Sequence, residues 1–166
     1  MGITIAEIIS LPDQGTDYMT RYLEFLGGAA MHSESENIKL NWLTDGLRKM
    51  ASVPKNLLPG KGEVLKMDLV NPVDEDNIHT REFDLVKSLG TQPIYELRID
   101  LREYNWCFRA TFFPKIVGDQ LYYCFVYPFE KVPGYDDPTN GFRDKTYKVF
   151  DEVKFHFSDY ARYFEK

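Results

Sequence analysis

The strongest constraint on the fold is the stretch Ile94–Pro133, which carries three strand-like runs in succession. In the first, Tyr95, Leu97, Ile99 and Leu101 alternate with Glu96, Arg98, Asp100 and Arg102. Apolar residues at every second position mark a strand with one dry face and one wet face. The second run, Trp106–Val117, sets Trp106, Phe108, Ala110 and Phe112 against Cys107, Arg109, Thr111 and Phe113. The third, Gln120–Phe129, is almost wholly aromatic and aliphatic, as expected of the most deeply buried strand. The connections, Glu103-Tyr104-Asn105 and Gly118-Asp119, are short enough for hairpins, and Gly-Asp suits a tight turn. A three-stranded antiparallel meander follows, with Arg98 and Arg109 alternating with core positions.

Around this meander the pattern predicts helices. Thr4-Ile5-Ala6-Glu7 has capping-box spacing, and Ile5, Ile8 and Ile9 line a short helix ended by Pro12. A second helix is expected over Asp17–Leu26, with Thr16 as N-cap and Gly27-Gly28 as its stop. A third is expected from the caps at Ser33–Glu36 to Ser52, with Leu40, Leu43, Leu47 and Met50 on one side. Glu63–Val70 alternates like a strand, Asn71–Asn77 reads as an acidic loop, and Thr80 caps a short helix over Arg81–Ser88. The turn cluster Pro133–Gly141 precedes a long final helix, Phe142–Phe164. The expected fold is therefore α+β: N-terminal helices, a small twisted antiparallel sheet and a long C-terminal helix. At 166 residues the chain reads as a single domain, helical over 1–60, with sheet and terminal helix over 61–166.

Composition narrows the function classes. Net charge is −6. Residues 1–90 hold 9 Lys and Arg against 14 Asp and Glu, and residues 91–166 hold 11 against 12. That balance argues against strong non-specific polyanion binding, but not against a shaped site. No apolar run approaches the ~20 residues that span a bilayer, and the first residues lack the basic and apolar regions of a signal peptide. A cytoplasmic protein without membrane association is expected. Cys107 and Cys124 read as buried free thiols, a disulfide between neighbouring strands being the alternative. His32, His79 and His156 are isolated from each other and from the cysteines, and no metal or cofactor is implied. Gly60-Lys61-Gly62 lacks phosphate-loop spacing, and Asp74-Glu75-Asp76 lacks the ligand spacing of a calcium loop.

What remains is a set of polar residues on the sheet: Arg98, Arg102, Arg109, Tyr123, Tyr127 and Lys131. Guanidinium groups on a sheet face suit a phosphate clamp, and a neighbouring tyrosine suits proton transfer or base stacking. The bland alternative pairs Arg98 with Glu96 or Asp100 and leaves the tyrosines in the core.

Tyr95-Glu96-Leu97-Arg98 after Leu89-Gly90, then Phe108-Arg109 and Phe112-Phe113, then Leu121, Phe125, Lys131 and Pro133, form an ordered set over about residues 80–133. This set resembles the RelE/HigB superfamily of bacterial toxins, and most of all its phage-derived branch. The resemblance implies a compact helix-plus-twisted-sheet fold and cleavage of messenger RNA, often on the ribosome, with an antitoxin protein as partner. It implies no metal, because basic residues hold the phosphate while the RNA 2′-hydroxyl attacks. Carried over, Arg98 and Arg109 are phosphate-stabilising residues, Lys131 is a supporting cation and Arg102 a further RNA contact. Tyr123 stands where the family has histidine, and Tyr127-Pro128 where it has two lysines, so Tyr123 or Tyr127 is the acid/base or stacking group. The alternatives are an inactive phage- or prophage-derived relative that binds a protein partner and, more weakly, a small-molecule binder using the aromatic sheet face.

Overall fold

The computed structural model describes residues 5–74, 77–90 and 93–165. Its strands are β1 (Ala6–Ser10), β2 (Val64–Asp74), β3 (Asn77–Ser88), β4 (Tyr95–Leu101), β5 (Trp106–Val117) and β6 (Gln120–Glu130). Its helices are α1 (Tyr18–Ala30), α2 (Glu34–Met50) and α3 (Thr139–Phe155). All six strands join one curled sheet in the order β1-β6-β5-β4-β3-β2. β1 runs parallel to β6, and every other pair is antiparallel. The expected small antiparallel sheet is thus corrected to a large mixed one. The meander β4–β6 is its middle, extended on one edge by β1, where a helix was expected, and on the other by β3, also read as helix, and β2, whose strand was expected over Glu63–Val70.

On one edge, Ala6–Ser10 is a strand and not a short helix. It pairs with Leu121–Phe125 of β6, and that pairing outweighs a local capping pattern whose Thr4 lies outside the described residues. Its β-branched residues fit this outcome: Ile8 turns to the helix side of the sheet and Ile9 to the other. On the opposite edge, Arg81–Ser88 belongs to β3 and is not a helix. A bulge opposite Leu65 and Lys66 turns Leu85 and Val86 to the same core, so Phe83, Leu85 and Val86 imitate helical spacing. Strand β2 also runs on to Asp74, where an acidic loop was expected; Glu75 and Asp76 lie outside the described residues.

The two faces carry separate cores. α1 and α2 cover one face, where Met19, Leu43, Leu69, Ile99, Phe108 and Tyr123 meet. Gly46 lets α2 approach β4, since a Cβ there would stand 3.2 Å from Ile99 Cδ1. Asp45 ties the same helix to β2, its Oδ2 accepting the Val70 amide at 2.7 Å. Ser33 caps α2 as expected, while Asp17, rather than Thr16, caps α1 by accepting the Thr20 amide. Gly27 and Gly28 lie inside α1, which continues to Ala30.

α3 packs on the other face against β5 and β6, so β6 is buried on both sides and reads as a nearly unbroken apolar run. The expected helix to Phe164 stops at Phe155, where His156 leaves helical geometry. Two short 3-10 turns carry the chain on, and Tyr160 and Phe164 still reach the second core. Away from α3 that face stays open, and Lys66, Asp68, Glu82, Asp84 and Lys87 are exposed on β2 and β3. Both cysteines are free thiols.

Candidate functional site

The β4–β5 register sets Arg98 directly opposite Arg109. Because β4 alternates, Leu97, Ile99 and Leu101 point to the α1/α2 core and Glu96, Arg98 and Asp100 point the other way. Arg109 shares that second face, and its Nη1 donates to Asp100 Oδ1 at 2.6 Å and to the Phe108 carbonyl at 2.8 Å. Glu96 sits between the two guanidinium groups. Its Oε1 lies 3.7 Å from Arg98 Nε and 3.9 Å from Arg109 Nε. At those distances the contacts are charge–charge rather than hydrogen bonds. Glu96 Oε2, Arg98 Nε and Arg109 Nε, all buried, accordingly have no hydrogen-bond partner among the described residues.

Burial grades across this cluster. Glu96 is 2% and Arg109 3% exposed, whereas the Arg98 side chain is 21% and Asp100 42% exposed. Burial pushes the Glu96 carboxyl above the ordinary range, against the pull of Arg109, Arg98, Lys131 and Lys87. Burial also raises Asp100, but the Arg109 hydrogen bond and charge outweigh it and hold that carboxyl below its usual value. Lys87 faces Glu96 across the β3–β4 pair. Lys131 follows β6, its amide donating to the Cys107 carbonyl at 2.9 Å and its Nζ standing 3.2 Å from Asp137. The charges of Arg109, Arg98, Lys131 and Lys87 therefore all act on one buried carboxylate.

Two clefts open beside the cluster. One, of about 240 Å³, is lined by Lys66, Arg81, Glu82, Asp84, Arg98 and Asp100 among others. The other, of about 230 Å³, lies between Cys107, Lys131 and the loop from Val132 to Pro138. Cys107 opens onto the second cleft, but burial and the Asp100 carboxylate raise its thiol pKa, so it stays protonated and is a poor nucleophile. What the arrangement offers is anion recognition by guanidinium N–H groups not yet committed, beside a carboxylate able to take a proton.

Of the residues singled out in the sequence, Arg98, Arg109 and Lys131 come together. Arg98 is paired with Glu96, as the bland alternative had it. Arg102 is exposed in the 3-10 turn after β4, close enough to act on the Cys107 thiol. Tyr123 and Tyr127 are not part of the cluster. Tyr123 points into the opposite core and donates to the Val53 carbonyl at 2.5 Å, and burial pushes its phenol up to about 12. Tyr127 donates to Asp13 and stacks on Tyr18, with burial and Asp13 raising its pKa. The residues that sequence reasoning did not place in the site are Glu96 and Lys87. Alternation puts Glu96 on the same face as Arg98 and Asp100, yet nothing in the pattern marks it as the buried one. Lys87 lay in a segment read as helix.

Among the described residues, no group of three or more His, Cys, Asp or Glu side chains is placed to hold a metal ion, and no helix is long and apolar enough to cross a membrane. No protein-family model, characterised protein or solved structure matches the chain.

Proposed function

We propose that the Glu96–Arg98–Arg109 cluster binds an RNA phosphodiester and cleaves it by transesterification. The observation that carries this reading is the opposition of Arg98 and Arg109 across β4 and β5, with the Glu96 carboxylate held between them. The resemblance of the meander to the RelE/HigB toxins supports it, although we give the proton-transfer role to Glu96 and not to Tyr123 or Tyr127.

In this mechanism the phosphate oxygens replace Glu96 as the partner of Arg98 and Arg109. Charge-assisted N–H bonds then stabilise the charge that builds on phosphorus oxygens in the transition state. The freed Glu96 carboxylate takes the proton of the ribose 2′-hydroxyl, and that oxygen attacks phosphorus. The bond from phosphorus to the 5′-oxygen breaks, and the leaving oxygen takes a proton from water. The products are a 2′,3′-cyclic phosphate and a 5′-hydroxyl end. Lys87 and Lys131 add positive potential, so the cluster and its rim hold four cations against Glu96, Asp100 and Asp137 within an acidic chain. With so few cations, RNA affinity should be modest and its fall with salt correspondingly shallow.

The test is cleavage of end-labelled single-stranded RNA, with and without ribosomes, by wild type, Glu96→Gln and Arg98→Ala. Wild type is expected to leave cyclic-phosphate ends, and both variants to lose at least 100-fold in rate, within the roughly 10²–10⁴-fold a general base contributes. Undiminished cleavage by Glu96→Gln, or none by wild type in either condition, overturns the mechanism.

A second reading, a non-catalytic module that binds a protein partner such as an antitoxin, is favoured by the near-complete burial of Arg109 and its commitment to Asp100 and Phe108. A stable complex with the product of a neighbouring gene, formed by a wild-type protein that neither binds nor cuts RNA, supports that reading instead.

A further inference from the structure

We infer that the cleft beside Lys131 is a subsite for an unstacked nucleobase, with Tyr135 as its platform, so that the substrate class is single-stranded RNA. This rests on the RNA reading of the Glu96–Arg98–Arg109 cluster and adds a separate element to it. Tyr135 is 79% exposed, and no ring or cation among the described residues packs on it. The aromatic residues shortly before it behave differently: Phe129 stacks on Phe142 with ring centroids 4.7 Å apart, and Tyr127 packs on Phe142 at 5.2 Å. A lone exposed aromatic is ordinary on a protein surface. This one stands over a cleft, on a loop that is fixed at several points.

Gly134, at φ +87°, lets the chain turn so that the Tyr135 amide donates to the Val132 carbonyl at 3.2 Å. Asp137 accepts from the Thr139 amide at 3.0 Å and from its hydroxyl at 2.5 Å, and it also faces Lys131 Nζ at 3.2 Å. Those Thr139 hydrogen bonds first, then Lys131, lower the Asp137 carboxyl to about 2, so the clasp is ionised throughout the physiological range. The loop therefore presents Tyr135 from a fixed frame, and ordering it on binding costs little.

Lys131 joins the two parts. It lines the cleft with Cys107, Pro133 and Tyr135, and it is also one of the four cations acting on Glu96. A strand with its phosphate at Arg98 and Arg109 can direct the adjoining base into the cleft, where the Tyr135 ring and the exposed Val132 offer apolar surface. A base in a duplex is already stacked and paired, and leaving the helix costs free energy that a base in a loop or single strand does not spend.

The test measures binding by fluorescence anisotropy with a 2′-O-methyl RNA oligonucleotide, which lacks the attacking hydroxyl. The comparison ligands are a duplex of the same sequence and an abasic ribose–phosphate oligomer of the same length. Wild type is expected to prefer the single strand. Tyr135→Ala should weaken single-strand binding by roughly 5- to 150-fold, the cost typical of one lost stacking platform, and leave the abasic oligomer unaffected. Tyr135→Trp should retain binding, and Arg98→Ala should weaken both ligands alike. Because Tyr135 is exposed, its variants should melt at the wild-type temperature. If Arg98→Ala weakens binding but Tyr135→Ala does not, the base subsite is overturned and the cluster reading stands. Equal binding of duplex and single strand also overturns the subsite. If wild type binds none of the three ligands, the RNA reading fails and the subsite fails with it.

Discussion

Replacing Arg109 with Met and Glu96 with Leu, singly and together, separates a cluster kept for function from one that holds the fold. Arg109→Met removes the donor to Asp100 and one of the two close charge contacts, at 3.9 Å, of a carboxylate that is 2% exposed. Breaking a buried ion pair from one side costs about 3–5 kcal/mol, and Arg98 remains 3.7 Å from Glu96, so the loss should fall near the low end, about 3 kcal/mol. Asp100, 42% exposed, regains water and adds little. Glu96→Leu is milder. Arg109 keeps Asp100 and the Phe108 carbonyl, and the Arg98 side chain is 21% exposed, so roughly 1 kcal/mol is expected, about the net worth of one polar contact. The double variant puts apolar volume where two buried charges stood, a change that is often neutral or better. It should lie within about 1 kcal/mol of wild type, which makes the coupling between the two sites roughly 3 kcal/mol, at the upper end for residues in contact. Urea unfolding followed by fluorescence of the buried Trp42 and Trp106 measures all three, with an unchanged slope as the two-state check. If the double variant loses the additive ~4 kcal/mol, the cluster is a net support of the fold and its unspent N–H groups are no argument for a ligand. If it is stable but no longer cleaves RNA, the charges are retained at no benefit to stability.

Two more outcomes follow from the same geometry. Tyr123→Phe strands the Val53 carbonyl in the core and should cost about 1–2 kcal/mol in urea unfolding while leaving RNA cleavage unchanged; a loss of cleavage without a loss of stability contradicts the assignment of this residue to the opposite face. Glu96 sets the pH response. Its carboxyl is raised, so the basic form appears only above the usual glutamate value of about 4.3, and the acidic limb of kcat/KM should lie above that value. The folded state holds the Glu96 proton more tightly than the unfolded chain. The stability this confers is present below the ordinary glutamate range and is lost as pH rises through the folded value, a slope that Glu96→Gln should flatten. A limb at or below the ordinary value contradicts the role of Glu96 as base.

The meander was legible because each of its strands declares itself locally. Period-two alternation marks β4 and most of β5, and Gly118, at φ +61°, marks the tight turn between β5 and β6. β2 was legible too, from the alternation over Glu63–Val70, but β1 and β3 were not, for two different reasons. β1 is only five residues long, and its partners, from Ala6 with Leu121 onward, are more than a hundred positions away. Nothing within five residues reports such a partner, so a capping pattern is the only local signal left. β3 is long, but its bulge at Leu85 breaks the alternation that would have identified it. The terminal helix was overdrawn because Phe157, Tyr160 and Phe164 keep helical spacing while the backbone, after His156, reaches the same core through 3-10 turns.

The site divides in the same way. Residue type and alternation bring Arg98 to the wet face of β4, and the hairpin places Arg109 opposite it. Alternation treats that face as uniform, however, and the decisive property is its gradient from dry at Glu96 and Arg109 to wet at Asp100. Two further cations come from outside the hairpin: β3 sets Lys87 opposite Glu96, and the loop after β6 brings Lys131, whose charge acts on it. The gradient is also what the proposed chemistry requires. A carboxylate in water among four cations would stay ionised and bound to them. One held in the dry end, raised by burial and released when a phosphate takes its place at the arginines, is both less firmly paired and a stronger base.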